Sequence, residues 1–158
     1  MFRDVARVKQ KLPQEECVEI LKQQPRGVLS VLGDDDYPYG MPMNHWYCEQ
    51  DGKLYFHSGL KGHRSDAMAR CDKASFCVYD GGFRRDGEWA LNIRSVIAFG
   101  RLKKVEDEAL ALEFIRRLSD KFTDDADYVE GEIAQAADHT LFFALEVEHM
   151  TGKLVNEA

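Results

Sequence analysis

Apolar positions change period several times along this chain. Cys17, Ile20 and Leu21 follow Pro13 at i, i+3, i+4 spacing, which predicts a helix that begins at Pro13 and is stopped by Pro25. Glu15 and Glu16 fall in its first turn, where acidic side chains suit the helix dipole. Met1 to Leu12, before it, reads as an arm. Strand-like runs then take over. Gly27 to Leu32 is one, and Gly33-Asp34-Asp35-Asp36 is a turn. Tyr39 to Cys48 is extended, and Pro42 inside it argues for an edge position or a bulge. Asp51-Gly52 is a hairpin signal that returns the chain as Lys53 to His57.

Gly59 to Arg64 reads as a polar loop, followed by a short helix over Ser65 to Cys71 and a strand over Ala74 to Tyr79. Asp80 to Gly87 is a Gly-rich, charged loop. Trp89 to Val105 carries apolar residues on both alternating faces, as in a strand with one face in a barrel and the other against a helix or a second chain. Leu110, Phe114, Ile115, Leu118 and Phe122 form the stripe of a helix over Asp107 to Phe122. Thr123 is placed to cap another, with Asp124, Asp125 and Asp127 in its first turn; cap and dipole chemistry accounts for these aspartates without a metal. Leu141 to Val147 alternates cleanly as a last strand, and Gly152-Lys153 reads as a turn or bend. Helix, strands, short helix, strands, two helices and a final strand, joined mostly as hairpins, predict a mainly β fold. The best match is a small antiparallel barrel with flanking α-helices.

The 158 residues suit a single domain over 1–158, and 44% hydrophobic with 31% charged residues is ordinary globular composition. A net charge of -7, with the basic residues dispersed, disfavours a broad nucleic-acid surface. Met1 to Lys11 is basic without an apolar run, and nothing approaches the ~20 apolar residues of a membrane span. A soluble, cytoplasmic protein is the expectation. None of the four cysteines forms a C-x-x-C pair, so they read as reduced, packed thiols. No G-x-G-x-x-G follows a strand, and no P-loop is present. His45, His139 and His149 have no second ligand at metal spacing and read as structural.

One segment concentrates chemistry. Tyr55-Phe56-His57-Ser58-Gly59-Leu60-Lys61-Gly62-His63-Arg64-Ser65 ends a strand, passes two glycines, and offers Lys61, His63, Arg64 and Ser65 just where a helix begins. Glycines admit a ligand close to backbone amides, a helix N-terminus favours an anion, and an arginine can fork onto phosphate oxygens. This is a candidate monophosphate site; the alternative is a solvated basic loop.

The same segment resembles the phosphate-binding turn of flavin-binding split barrels, the superfamily of pyridoxamine 5′-phosphate oxidase. Phe56-His57-Ser58 is similar to its strand end, and His63-Arg64 to its basic pair. The resemblance to the nitroimidazole-resistance branch is closer. It is carried by Arg26 to Val31, by Tyr37 to Gly40 with Pro42-Met43-Asn44, by Tyr55 to Arg64, and by Gly87 to Ile93 with Ser95-Val96 and Phe99-Gly100-Arg101. The tail Thr151-Gly152-Lys153 extends it, so that it spans Leu12 to Asn156. The resemblance implies a split β-barrel and a homodimer with FMN at the interface. Pro42, Met43 and Asn44 would lie along the isoalloxazine, and Phe56, His57 and Ser58 would approach its polar edge. His63 and Arg64 would hold the phosphate, with Lys61 of the same loop as a further cofactor-binding candidate from its charge, and Ser95 would reach in from the second subunit.

One departure matters. Met41 and Met43 stand on the strand where pyridoxamine-phosphate oxidases carry an arginine, and the tail offers only His149 and Lys153, so that substrate is not implied. His57 is the candidate catalytic residue. A pKa near the ordinary ~6.5 would suit a proton donor beside flavin; the alternative is a strand-end histidine bonded to a carbonyl. Trp46, Tyr47, Tyr79, Phe83 and Trp89 could wall the ring or be core and dimer contacts. The implied activity is an FMN-dependent oxidoreductase acting on a small aromatic or nitroaromatic acceptor. The alternatives are a non-catalytic flavin carrier and a haem-binding barrel using His57 or His63.

Overall fold

The computed structural model describes residues 1–136 and 139–157, the side chain of Ala136 excepted. Its elements are β1 (Lys11–Leu12), α1 (Gln14–Gln23), β2 (Arg26–Leu32), β3 (Pro38–Asn44), β4 (Trp46–Cys48), β5 (Lys53–Gly59), α2 (His63–Arg70), β6 (Lys73–Tyr79), β7 (Asn92–Lys104), α3 (Glu108–Ser119), α4 (Ala126–Ala136) and β8 (Thr140–Asn156). The strands form one sheet in the order β3-β2-β6-β7-β8-β5-β4, and β1 adds to β8. Every pairing between these strands is antiparallel. The sheet curls into a split barrel with flanking helices.

Two long strands make the curl. β7 and β8 pair along nearly their whole length, and the register slips between Phe99 and Gly100. Such a bulge bends a strand and increases its twist. Gly100 sits at the bend, where a Cβ would overlap the Glu146 carbonyl. Beyond it, the first part of β8 turns to pair with β5. Gly152-Lys153 is therefore not a turn. It lies inside β8, opposite β1 and β7, because a side chain at Gly152 would collide with Cys17 and Leu12 where α1 crosses the sheet.

The alternation in β2, β6 and β7 sends Leu29, Val31, Phe76, Val78, Val96 and Ala98 into the barrel. Phe56 stands among them with Phe76 and Phe143, ring centroids 5.0 and 5.4 Å away. α1 closes the interior with Cys17, Ile20 and Leu21, none more than 1% exposed. A second core lies outside the barrel, where Phe114 and Leu118 of α3 pack on Tyr55 of β5, Ala144 of β8 and Cys48 of β4. β3 is an edge strand, so Pro42 removes no ladder bond the sheet needs.

Other boundaries differ from the sequence expectation. The Tyr39 to Cys48 stretch splits into two strands, broken at His45. α2 begins at His63, two residues earlier than expected, and β7 begins at Asn92 instead of Trp89. Asp80 explains the last shift. Its carboxylate accepts from the backbone of Gly82 and Arg94 and from the Arg94 guanidinium at 2.7 Å, and this ties residues 80–91 into a separate loop. At α4 the cap is Asp125, which accepts from the Tyr128 N–H at 3.0 Å. Thr123 accepts from Asp125 N–H and shapes the preceding turn. Among the described residues, no helix is long and apolar enough to cross a membrane.

Candidate functional site

β5 delivers its residues alternately to two places. Phe56 and Ser58 point into the barrel; Phe56 is fully buried, and Ser58 donates to the Gly59 carbonyl at 3.1 Å. His57 points outward, on the α3 side, with its ring 6.2 Å from that of Phe114. β3 divides in the same way. Met41 and Met43 are core, while Pro42 and Asn44 stay on the outer side. At Met43 and Phe56, then, only the backbone is available to a ligand.

The split in the barrel unites these outer residues. β3 and β5 sit near opposite ends of the strand order, yet Asn44 and His57 line the same cavity, of about 430 Å³, beneath α3 and α4. The pKa of His57 is pushed below the usual imidazole value. Burial is the larger cause, although the ring keeps open surface toward the cavity, and the Arg64 charge is the second. The ordinary pKa expected of a proton donor therefore does not hold. Near neutral pH this ring is an uncharged imidazole, with one N–H to donate and one nitrogen to accept.

α2 is preceded by Gly62 at its N-cap, whose φ of 127° is open to glycine and strained for other residues. No side chain caps this helix, so its first amides face outward as an anion would need. Among the described residues, Lys61 makes no ion pair, and the Arg64 guanidinium meets only the Met41 sulfur, at 2.9 Å. Sulfur is a weak acceptor, which leaves most of the fork unspent. A Cβ at Gly59 or Gly62 would touch nothing within 4 Å, so the approach is clear. Free cationic donors, uncapped amides and open space fit a phosphate monoester.

His63 is differently engaged. Its ring stacks on Tyr39 at 4.1 Å, and its Nε2 accepts from the Asp34 N–H at 3.2 Å. The backbone of His63 faces the cradle while its ring braces the β2–β3 turn. Ser65 spends its hydroxyl on the Gly62 carbonyl at 2.8 Å.

Ser95 stands apart from these groups, on the outer face of β7. There Val28, Ile97, Phe99 and Tyr79 are 37 to 62% exposed, and Ser30, Gly40 and Ser75 keep the surface flat. Among the described residues, no helix covers this face. At one side Phe2 of the arm lies on Phe99 and stacks on His149, with centroids 5.6 and 5.1 Å away.

The sequence profile described as pyridoxamine 5′-phosphate oxidase matches residues 13–154. The chain belongs to this family. No curated protein matches the sequence. Among solved structures, it is similar to a candidate 5-nitroimidazole antibiotic resistance protein from Bacteroides thetaiotaomicron, with 20% identity, 92% of this chain and 87% of that one covered, and a TM-score of 0.77. It is also similar to a FAD-binding protein from Mesorhizobium loti, at 21% identity over 92% and 97% of the chains with TM-score 0.69. A FAD and heme binding protein from Mycobacterium smegmatis matches at 21% identity over 92% and 73%, TM-score 0.69. At these identities the likeness establishes the shared fold. Met41 and Met43, which stand where the resemblance places an arginine, are both core residues of the edge strand.

Sequence reasoning missed the residues that build the cavity wall and its anchor. Ile115 and Leu118 belong to the α3 stripe, which was legible only as packing. Lys121 had no signal at all. Its ammonium donates to the His45 carbonyl at 2.8 Å and the Gln24 carbonyl at 3.1 Å, pinning the end of α3 to the β3–β4 junction. Burial pushes its pKa down to about 8. His45 beside it is fully buried, and its Nε2–H donates to the Leu21 carbonyl at 2.7 Å.

Proposed function

We propose that this chain is an FMN-dependent oxidoreductase, acting as a homodimer on a small flat aromatic acceptor such as a nitroaromatic. The observation that carries this reading is the open cationic cradle at the start of α2, with neutral His57 one strand-end away. Family membership and the FAD-binding neighbours support a flavin in that place. The cofactor, when bound, supplies the electron chemistry, which the protein alone cannot provide.

Lys61, Arg64 and the first amides of α2 would bind the phosphate. Pro42 and Asn44, with the backbone of Met43, would border the ring. His57, uncharged near neutral pH, would donate a hydrogen bond from one nitrogen and take up a proton at the other as negative charge develops nearby. The dimer surface would be the uncovered outer face around Val28, Ile97 and Phe99, which brings Ser95 of a second copy toward the site.

The test is the absorption spectrum of purified protein, then titration with FMN and, separately, FAD while the thermal midpoint is followed. A flavin spectrum or a midpoint rise with FMN is the expected result, followed by reduction of a nitroimidazole with NAD(P)H or dithionite as donor. Tight FMN binding without any acceptor reduction would leave a flavin carrier. A Soret band in place of a flavin spectrum would overturn the reading.

A further inference from the structure

We infer that the cavity beneath α3 and α4 is a second ligand site, distinct from the phosphate cradle, that takes a flat, uncharged heteroaromatic molecule. The role of that molecule as the electron acceptor rests on the function proposed above; its binding does not.

The cavity measures about 430 Å³, within the roughly 300–1,000 Å³ of small-molecule sites. Its walls are apolar and come from three elements: Ile115 and Leu118 of α3, Val129 and Ile133 of α4, and Phe142 of β8. Its sheet end holds the polar side chains of Asn44, His57 and Thr140, and Ser119, Thr123 and Tyr128 add hydroxyls from the α3 and α4 side. Neither Asn44 nor His57 makes a side-chain hydrogen bond among the described residues, so the Asn44 amide and the His57 ring nitrogens are available to a ligand. Apolar walls with a few convergent polar groups at one end are the usual make-up of a ligand pocket.

Charge narrows the ligand. Among the described residues, the lining contains one formally charged side chain, Glu132, at the α4 rim. An anion would meet that carboxylate and no lining cation. A strongly hydrated cation would leave water for aromatic and aliphatic walls with a single exposed partner. A neutral ring carrying both donor and acceptor atoms suits amide and imidazole alike. His57 stays uncharged near neutral pH, which keeps that end neutral too.

Position separates this site from the cradle. His57 lines the cavity beside Phe114 and also feels the charge of Arg64, while none of Lys61, Gly62 and Arg64 of the cradle lines the cavity. One histidine thus adjoins both ligand spaces. The wall is also preset. Lys121 holds the end of α3 to the His45 carbonyl, one residue from Asn44, so the cavity need not be organised by its ligand.

The experiment titrates 5-nitroindole, and 4-nitrobenzoate as its anionic counterpart, into FMN-saturated protein by calorimetry. Wild type is compared with Val129→Trp and Ser119→Phe, which fill the cavity from different helices and lie outside the cofactor set. The expected result is that 5-nitroindole binds wild type at least ~10-fold more tightly than 4-nitrobenzoate. Each variant loses at least ~10-fold in 5-nitroindole affinity with its FMN affinity unchanged. In wild type, NMR shifts of the Asn44 side-chain amide and the His57 ring protons on adding the probe keep the test independent of either variant's folding. If wild type takes up no FMN, the proposed function fails, and the same titration on FMN-free protein decides the cavity alone. Unchanged probe affinity in both folded variants, or loss of FMN affinity in step with the probe, would overturn the inference. The second outcome would mean that the cavity houses the flavin itself.

Discussion

His45 makes a strong demand on stability. Its Nε2–H is committed to the Leu21 carbonyl, and its Nδ1 is buried with no hydrogen-bond partner among the described residues. Protonation would put an N–H and a charge on that orphaned nitrogen, inside the core and next to the Lys121 ammonium. Burial first, and Lys121 second, push its pKa from 6.5 to about 3. The unfolded chain has no such restriction and takes up the proton near the ordinary value. Between 6.5 and about 3 the unfolded state therefore binds one more proton than the native state. Stability falls as pH falls through that window, by about 1.4 kcal/mol per pH unit. From about pH 7 to about pH 5 the loss from this single residue is about 2 kcal/mol.

That is a large share of the ~5–15 kcal/mol of a typical domain. The perturbation is His45→Gln, which can keep a donor toward Leu21 and cannot titrate. Urea unfolding followed by circular dichroism at about pH 7, 6 and 5 gives the slope for both proteins. Wild type should lose about 2 kcal/mol more than the variant over the two units. The shift at Asp80, held low by Arg94 against the cost of burial, acts only as carboxylates protonate, below this range. His57 contributes equally to both proteins and cancels. Equal acid slopes in wild type and His45→Gln would falsify the assignment of the buried, partnerless nitrogen.

Four further outcomes follow from the contacts. Arg64→Ala should weaken FMN binding by about 10- to 100-fold in a flavin-fluorescence titration, since a charge-assisted bond is worth ~1.5–3 kcal/mol. His63→Ala should cost less, because that ring is occupied by Tyr39 and Asp34. Lys121→Met strands the carbonyls of Gln24 and His45 and should destabilise the fold by about 2–3 kcal/mol in urea titration. Ile97→Lys on the uncovered face should convert a dimer to monomer by sedimentation and reduce FMN affinity with it; FMN affinity that survives in a monomer would separate the site from the interface.

Much of the fold was legible because its core follows the two elementary periods. The strand pattern of Leu141 to Val147 and the helical stripe from Leu110 to Leu118 each reappear as an element with the expected face inward, while Phe122, expected to end the stripe, lies beyond the helix and is 46% exposed. The failures share a cause. Gly152 looked like a turn because glycine usually marks one. Here it marks a close approach to Cys17 and Leu12, contacts with chain segments more than a hundred residues away. Trp89 looked like the start of a strand because it opens a run with apolar residues on both alternating faces, but the Asp80–Arg94 pair withdraws it into a loop and leaves it 76% exposed. Long-range contact decided both, and no local pattern encodes it.

The site divides along the same line. Lys61, Arg64 and the glycines around them are neighbours in sequence, so a helix start flanked by donors could be read directly. What each side chain does there could not. Met43 and Phe56 belong to matching motifs, yet strand alternation assigns both to the core, so a match in letters is not a match in exposure. His63 and Arg64 are adjacent and read in the sequence as one basic pair. One is turned to Tyr39 and Asp34; the other has only a sulfur to hold. The cavity is the extreme case. Asn44, His57, Leu118 and Val129 meet only because the barrel is split and two helices cover the opening. Nothing in their spacing hints at a common wall. If ligand selectivity resides in that wall while the cradle only anchors a phosphate, relatives that share the Tyr55 to Arg64 motif can differ in substrate through α3 and α4 alone. Exchanging those helices between two such relatives should then move acceptor preference without moving FMN affinity.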